Sequence, residues 1–226
     1  MKGIIFDMDG LMIDTEKLLQ KYWCEAANEC GYPMKMEHVL KIRSLSGKYA
    51  SSVLKELLGE DFDYSKVRAK RMEKMAEHVE KYGLEKKRGL DELLQYAKRK
   101  GYRLAVATST DIERTTIYLK KIGVYSYFEV LVCGNMVQNG KPKPDIYIEA
   151  AKQLGVPTNE CFALEDSPNG ILSAYEAGCK AIMVPDLDEP DEDTIPRLYA
   201  KASDLLEVID ILEKMQNSAT FNEYHN

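Results

Sequence analysis

Several features that would assign a class at once are missing from the chain. No apolar run approaches the length needed to cross a bilayer, and no apolar core follows a basic segment near the N-terminus. Neither a membrane protein nor a secreted one is therefore expected, and the anticipated setting is the cytoplasm. The five cysteines (Cys24, Cys30, Cys133, Cys161 and Cys179) are odd in number and scattered. With no close pair they offer neither a metal knuckle nor a redox motif, and they are read as reduced, buried thiols. There is no excess of positive charge either: the net charge is -6. Nucleic acid and anionic membranes need a cationic footprint, so both are set aside as partners. Internal repeats and low-complexity segments are also absent.

What remains is an ordinary globular composition, 45% hydrophobic and 30% charged, in 226 residues. That is enough for one large domain, or a domain with a smaller one attached. The stretch 2–16 stands out. Ile4-Ile5-Phe6 is a short apolar run suited to a buried strand, and Asp7, Asp9 and Gly10 mark where it ends. Carboxylates at i and i+2 share a face and can converge on one cation or one reacting group. A polar turn or part of a calcium loop would give the same residues.

The pattern then becomes helical. Glu16–Cys30 has helical spacing, with Thr15 placed as its N-cap and Gly31 beyond its end. Further helical segments lie within 44–59 and over Tyr64–Tyr82, with almost no strand signal before Gly83. From Gly89 helices and strands alternate. Helices are predicted over Leu90–Lys100, from Asp111 to Ile122, over Pro144–Leu154, Asn169–Ala177 and Leu205–Met215. Strands are predicted over Tyr102–Ala107, Phe128–Cys133, Cys161–Leu164 and Lys180–Val184, with a polar, frayed tail from Gln216. The economical arrangement is a doubly wound α/β domain with a mostly parallel sheet, 1–14 and 84–215, carrying an inserted all-helical cap, 15–83.

Ligands of such sheets bind beyond the carboxyl ends of the strands. Four polar groups fall at that edge: Asp7 with Asp9, Thr108 with Ser109, Lys141, and Glu165 with Asp166. Taken alone, Thr108-Ser109 reads as a helix-capping turn, Lys141 as a solvated loop charge, and Glu165-Asp166 as a helix cap. Together they make a carboxylate-rich pocket that needs a cation, and oxygen ligands without His or Cys favour Mg²⁺. Hydroxyls and a lysine beside such an ion suit a phosphoryl group. Aspartate can attack phosphorus, and a second carboxyl can move protons. Gly134 to Lys141 imitates a phosphate-binding glycine loop, but Pro142 stands where Ser or Thr is needed, so that reading fails.

Asp7-Met8-Asp9-Gly10 with Asp14, Thr108-Ser109, Gly140-Lys141-Pro142-Lys143-Pro144-Asp145-Ile146-Tyr147 and Glu165-Asp166-Ser167-Pro168-Asn169-Gly170 resemble the haloacid dehalogenase superfamily. The insert after the first motif is similar to that of β-phosphoglucomutase and the small sugar-phosphate phosphatases. The resemblance covers about residues 1–215 and is weakest in the insert. It implies Asp7 as nucleophile and metal ligand, and Asp9 as general acid/base lending its carbonyl to the metal. It implies Thr108, Ser109 and Lys141 around the phosphoryl group, and Glu165 and Asp166 in the Mg²⁺ shell. The insert would be a mobile cap. In the mutase a histidine on the first cap helix helps to move protons, and Leu19 stands there in this chain. Thr15, Arg43, Lys48 and Lys70 are candidate substrate contacts, although each charge among them also reads as a solvated one.

The expected activity is a magnesium-dependent phosphatase acting on a small phosphorylated metabolite, a sugar or nucleoside phosphate. A hexose-phosphate mutase is the alternative, and a non-catalytic binding protein on the same fold a third. A monomer is expected.

Overall fold

The computed structural model describes residues 1–223, with side chains as far as residue 215. The first strand, β1 (Gly3–Phe6), is buried along its whole length. Four helices follow: α1 (Glu16–Glu29), α2 (Met36–Leu40), α3 (Gly47–Leu58) and α4 (Tyr64–Tyr82). The remaining strands then alternate with helices: α5 (Leu90–Arg99), β2 (Arg103–Thr108), α6 (Ile112–Lys121), β3 (Val130–Cys133), α7 (Asp145–Leu154), β4 (Cys161–Glu165), α8 (Pro168–Glu176), β5 (Lys180–Met183), β6 (Ala200–Lys201) and α9 (Leu205–Glu223). The six strands form one parallel sheet in the order β3-β2-β1-β4-β5-β6.

β1 lies at the centre, with Phe6 opposite Val106 on one side and Leu164 on the other. Buried on both faces, such strands read as continuous apolar runs, and their alternate residues feed two separate cores. Ile4, Phe6, Leu104, Val106 and Leu164 face α5 and α9. Ile5, Ala105, Ala107 and Ala163 face α7 and α8, where alanines let the helices approach closely. Because β1 sits between β2 and β4, the chain winds outward in both directions from it, and the crevice at its carboxyl end is open. The predicted α/β class is the observed one.

The helices α1–α4 have a core of their own, built on Trp23, Ala26, Met34, Leu54, Phe62 and Val67. The chain enters and leaves this helical block through adjacent backbone. Asp14 N–H donates to the Glu85 carbonyl (2.9 Å), Lys87 N–H to the Met12 carbonyl (2.9 Å), and Ile13 bridges Lys86 antiparallel. Among the described residues no helix is long and apolar enough to cross a membrane.

Element boundaries differ from expectation in a few places, each with a local cause. The helix expected within 44–59 is Gly47–Leu58, preceded by turns over residues 41–44. α2 and β6, of five and two residues, are too short to show a period in the sequence. β3 starts at Val130, after a 3₁₀ turn over Tyr125–Tyr127. Thr15 stands at the N-cap of α1, yet its hydroxyl makes no cap hydrogen bond. The tail expected from Gln216 overlaps the end of α9, and residues 224–226 lie outside those described.

Phe6 is fully buried at the centre of the sheet and meets Phe128 edge-on, with ring centroids 5.6 Å apart. Phe6→Ala is expected to cost about 3–5 kcal/mol of stability, read as a lowered urea midpoint. A loss under about 1 kcal/mol would mean that this site collapses around the gap.

Candidate active site

Each strand end at the crevice supplies a polar side chain. Asp7 follows β1, its N–H still paired with the Leu164 carbonyl (3.0 Å). Thr108 ends β2, Glu165 ends β4, and Asp166 follows directly. Lys141 reaches the same point from the loop before α7 and has no solvent exposure. Its ammonium donates to Asp7 Oδ1 (2.5 Å) and to Glu165 Oε1 (2.6 Å), and the Tyr147 hydroxyl donates to the same Glu165 oxygen (2.5 Å). Burial alone would lower the Lys141 pKa, but the Asp7 and Glu165 carboxylates reverse that and hold it above its ordinary value.

The acidic side of this cluster is under-compensated. Carboxylate oxygens of Asp7, Glu165 and Asp166 lie within 4.8 Å of one another. Burial first, then neighbouring carboxylates, push Asp7 and Asp166 well above the usual carboxylate range, against the pull of Lys141 and Arg43. Glu165 Oε2 and Asp166 Oδ1 are buried with no hydrogen-bond partner. Three hard oxygen donors, two with an idle oxygen, are the residues here that can hold a divalent cation. Glycine is required on both sides. Gly10 has φ +84°, and a Cβ there would strike the Asp166 carboxylate, while one on Gly170 would strike that of Glu165.

Asp9 is treated differently from Asp7. Its carboxylate accepts from the Thr15 hydroxyl (2.8 Å) and from the Thr110 hydroxyl (2.8 Å), and it stands outside the acidic cluster. The hydroxyl of Thr15, expected at a helix cap or on a substrate, is thus engaged by Asp9. Thr108 is buried at the cavity floor, its hydroxyl oxygen accepting from the Thr110 N–H (3.1 Å).

The segment Arg43–Ser46 is fastened onto this site. Ser109 donates its hydroxyl to the Ser44 carbonyl (2.7 Å), Ser46 N–H donates to the Lys141 carbonyl (2.9 Å), and Asn169 donates to the Arg43 carbonyl (3.0 Å). Arg43 is buried, 4% exposed, and its guanidinium meets Glu16 (3.0 Å), Asp188 (2.6 Å) and Asp166. Glu16, buried beside it, is pushed up to about 8 by burial, with Arg43 opposing. Of the other expected substrate contacts, Lys70 pairs with Glu29 (2.6 Å) and Lys48 is exposed over the Tyr49 ring. Neither lines the cavity of about 660 Å³ that separates the helical block from the strand ends.

Sequence reasoning passed over Thr110, Tyr147, Glu16 and Asp188. Thr110 and Tyr147 sit within or beside the motif segments, where spacing could have found them. Glu16 and Asp188 carry no signal, since only folding brings them to Arg43.

A sequence profile of the haloacid dehalogenase-like hydrolases matches residues 4–184. The chain is 36% identical to YhcW of Bacillus subtilis, over 81% of this chain and 83% of that one. It is 32% identical to the phosphorylated carbohydrates phosphatase of Thermotoga maritima, over 80% and 84% of the two chains. In three dimensions it is similar to β-phosphoglucomutase from Clostridium difficile, with a TM-score of 0.80 over 98% of this chain and 99% of that one, at 17% identity. With its strand-end motifs assembled in one crevice and its profile match spanning most of its length, the chain belongs to the haloacid dehalogenase-like hydrolase family.

Proposed function

We propose that this phosphatase of the haloacid dehalogenase-like family hydrolyses a small phosphorylated sugar or related metabolite through a phosphoryl group carried on Asp7. The observation that carries the reading is the unequal treatment of two carboxylates one residue apart. Asp7 lies in the buried cluster against Lys141, while Asp9 is held outside it by Thr15 and Thr110. Carboxylates whose surroundings differ in this way divide into separate chemical roles. The name of the Thermotoga maritima relative supports a phosphorylated carbohydrate as the substrate class.

In the first step an Asp7 oxygen bonds to phosphorus as the ester P–O bond breaks, and Asp9 gives its proton to the departing alkoxide. In the second, Asp9 takes a proton from water, whose oxygen attacks phosphorus and frees Asp7 together with inorganic phosphate. Lys141 neutralises charge on Asp7 and on the transferred oxygens, and Thr108 and the Ser109 backbone orient them. Thr15 and Thr110 act as positioning residues for Asp9. The helical block, 15–83, serves as the cap that keeps bulk water from the reacting centre.

The residues fit a magnesium ion: three carboxylates converge, two keep an unpartnered oxygen, and neither His nor Cys is among them. Asp7, Glu165 and Asp166 would hold it, with the Asp9 carbonyl. When bound, the ion offsets the cluster's negative charge and that of the phosphoryl oxygens.

Asp7→Asn is expected to abolish hydrolysis of p-nitrophenyl phosphate in magnesium buffer, and Asp9→Asn to lower kcat by about 10²–10⁴. Undiminished turnover in Asp7→Asn would exclude Asp7 as the nucleophile. Magnesium at a hundred times its Kd is expected to stabilise the chain by about 2.7 kcal/mol, raising the thermal midpoint. Asp166→Asn should lose most of that gain. A midpoint indifferent to millimolar magnesium would count against the ion site.

A further inference from the structure

Two arginines of α4, Arg68 and Arg71, and one of α6, Arg114, line the same cavity. Arg71 is 6% exposed, and its Nε is buried with no hydrogen-bond partner. Among the described residues it forms no ion pair; its guanidinium lies 5.1 Å from the Trp23 ring centroid. Arg114 Nη1 is likewise buried and unpartnered, while Nη2 reaches Thr110 Oγ1 (3.2 Å) and Asp111 Oδ2 (3.5 Å). Arg68 lies 3.7 Å from that same Asp111 oxygen. Glu73 also lines the cavity, without an ion pair to any of the three.

Of the three guanidiniums, Arg68 and Arg114 share the single carboxylate of Asp111, and among the described residues Arg71 is ion-paired to none. Arg43 shows the usual solution for a buried arginine in this protein, with three carboxylates around it. Arg71 lacks that solution, and its pKa is pushed down to about 10 by burial and by the nearby charges of Arg114 and Arg68, against the weaker pull of Tyr64 and Asp9. An uncompensated buried cation destabilises the empty protein. It becomes favourable when an oxyanion arrives, because planar forks pair with carboxylate or phosphate through two bonds. The cluster is also wired to the reacting centre, since Thr110 Oγ1 accepts from Arg114 and donates to Asp9.

We propose that Arg68, Arg71 and Arg114 form a second oxyanion subsite, so that the preferred substrate carries a further acidic group, phosphate or carboxylate, besides the phosphoryl group that is removed. This rests on the phosphatase reading for the first phosphate. Asp7, Asp9 and Thr108 line the same cavity as the three arginines, so one substrate can meet both sets of residues.

The test compares three compounds with one carbon skeleton: glucose 6-phosphate, 6-phosphogluconate and glucose 1,6-bisphosphate. Their affinities are measured by calorimetry on the Asp7→Asn chain in magnesium buffer. The two doubly acidic compounds are expected to bind at least about tenfold more tightly than glucose 6-phosphate, and which of them leads identifies carboxylate or phosphate. In the same background, Arg68→Met with Arg114→Met should erase the difference while leaving glucose 6-phosphate little changed. Arg71→Met should erase it too without lowering the thermal midpoint, because an unpaired buried charge is removed. Equal affinity for all three, no binding of any, or selectivity that survives these variants overturns the proposal. If Arg71→Met fails to fold, the Arg68/Arg114 pair decides. Hydrolysis of p-nitrophenyl phosphate by the native chain tests the phosphatase reading separately, so either idea can fail without the other.

Discussion

The ammonium of Lys141, with no exposure to water, between the carboxylates of Asp7 and Glu165 is the contact on which the rest of the crevice depends. A buried ion pair offsets its desolvation only when geometry and further hydrogen bonds are good, and removing one partner costs about 3–5 kcal/mol. Here the geometry is enforced from several directions. The Tyr147 hydroxyl donates to the same Glu165 oxygen as Lys141, and Gly170 leaves room for that carboxylate. β1 and β4 are hydrogen-bonded neighbours, so their ends hold Asp7 and Glu165 in fixed relation. The sheet thus acts as a frame that keeps like charges closer than they would settle alone.

The same excess of negative charge organises the helical block. Arg43 comes from the turn before α3, yet its guanidinium is spent on Glu16, Asp166 and Asp188, which lie in three separate parts of the chain. The backbone around it is tied down by Ser109, Lys141 and Asn169, so the segment 43–46 touches three of the four strand-end motifs. Such contacts tie the position of the helical block to the charged crevice below it. Elsewhere in the cavity lining the balance reverses, and Arg68, Arg71 and Arg114 outnumber their carboxylate partners.

Most of the sheet was legible because buried parallel strands are short apolar runs closed by turn residues, as Ile4-Ile5-Phe6 before Asp7 illustrates. The strand-end residues Asp7, Asp9, Thr108, Lys141, Glu165 and Asp166 could be found because each follows such a run or falls within a motif. Burial of charge was not legible. Arg71 lies in a helix dense in Lys, Arg, Glu and Met, where periodicity alone makes it one more solvated side chain, and Arg43 reads the same way. What makes them different is long-range: the residues that crowd them, or fail to pair with them, stand elsewhere in the sequence. Thr15 stands at the N-cap as its sequence position predicts, but a local rule does not say where its hydroxyl goes. Threonine before a helix is a reasonable cap, but the carboxylate of Asp9 competes for its hydroxyl and wins.

The paired backbone at Asp14 and Glu85, with the Ile13–Lys86 bridge, bears on how such a chain can change. The entropic cost of bringing the two ends of an inserted excursion together grows only with the logarithm of its length, about 0.6 kcal/mol per doubling. Helices between those ends can lengthen, shorten or exchange their surfaces while the strands on either side keep their register. The helical block is thereby free to drift, and the strand-end crevice is not.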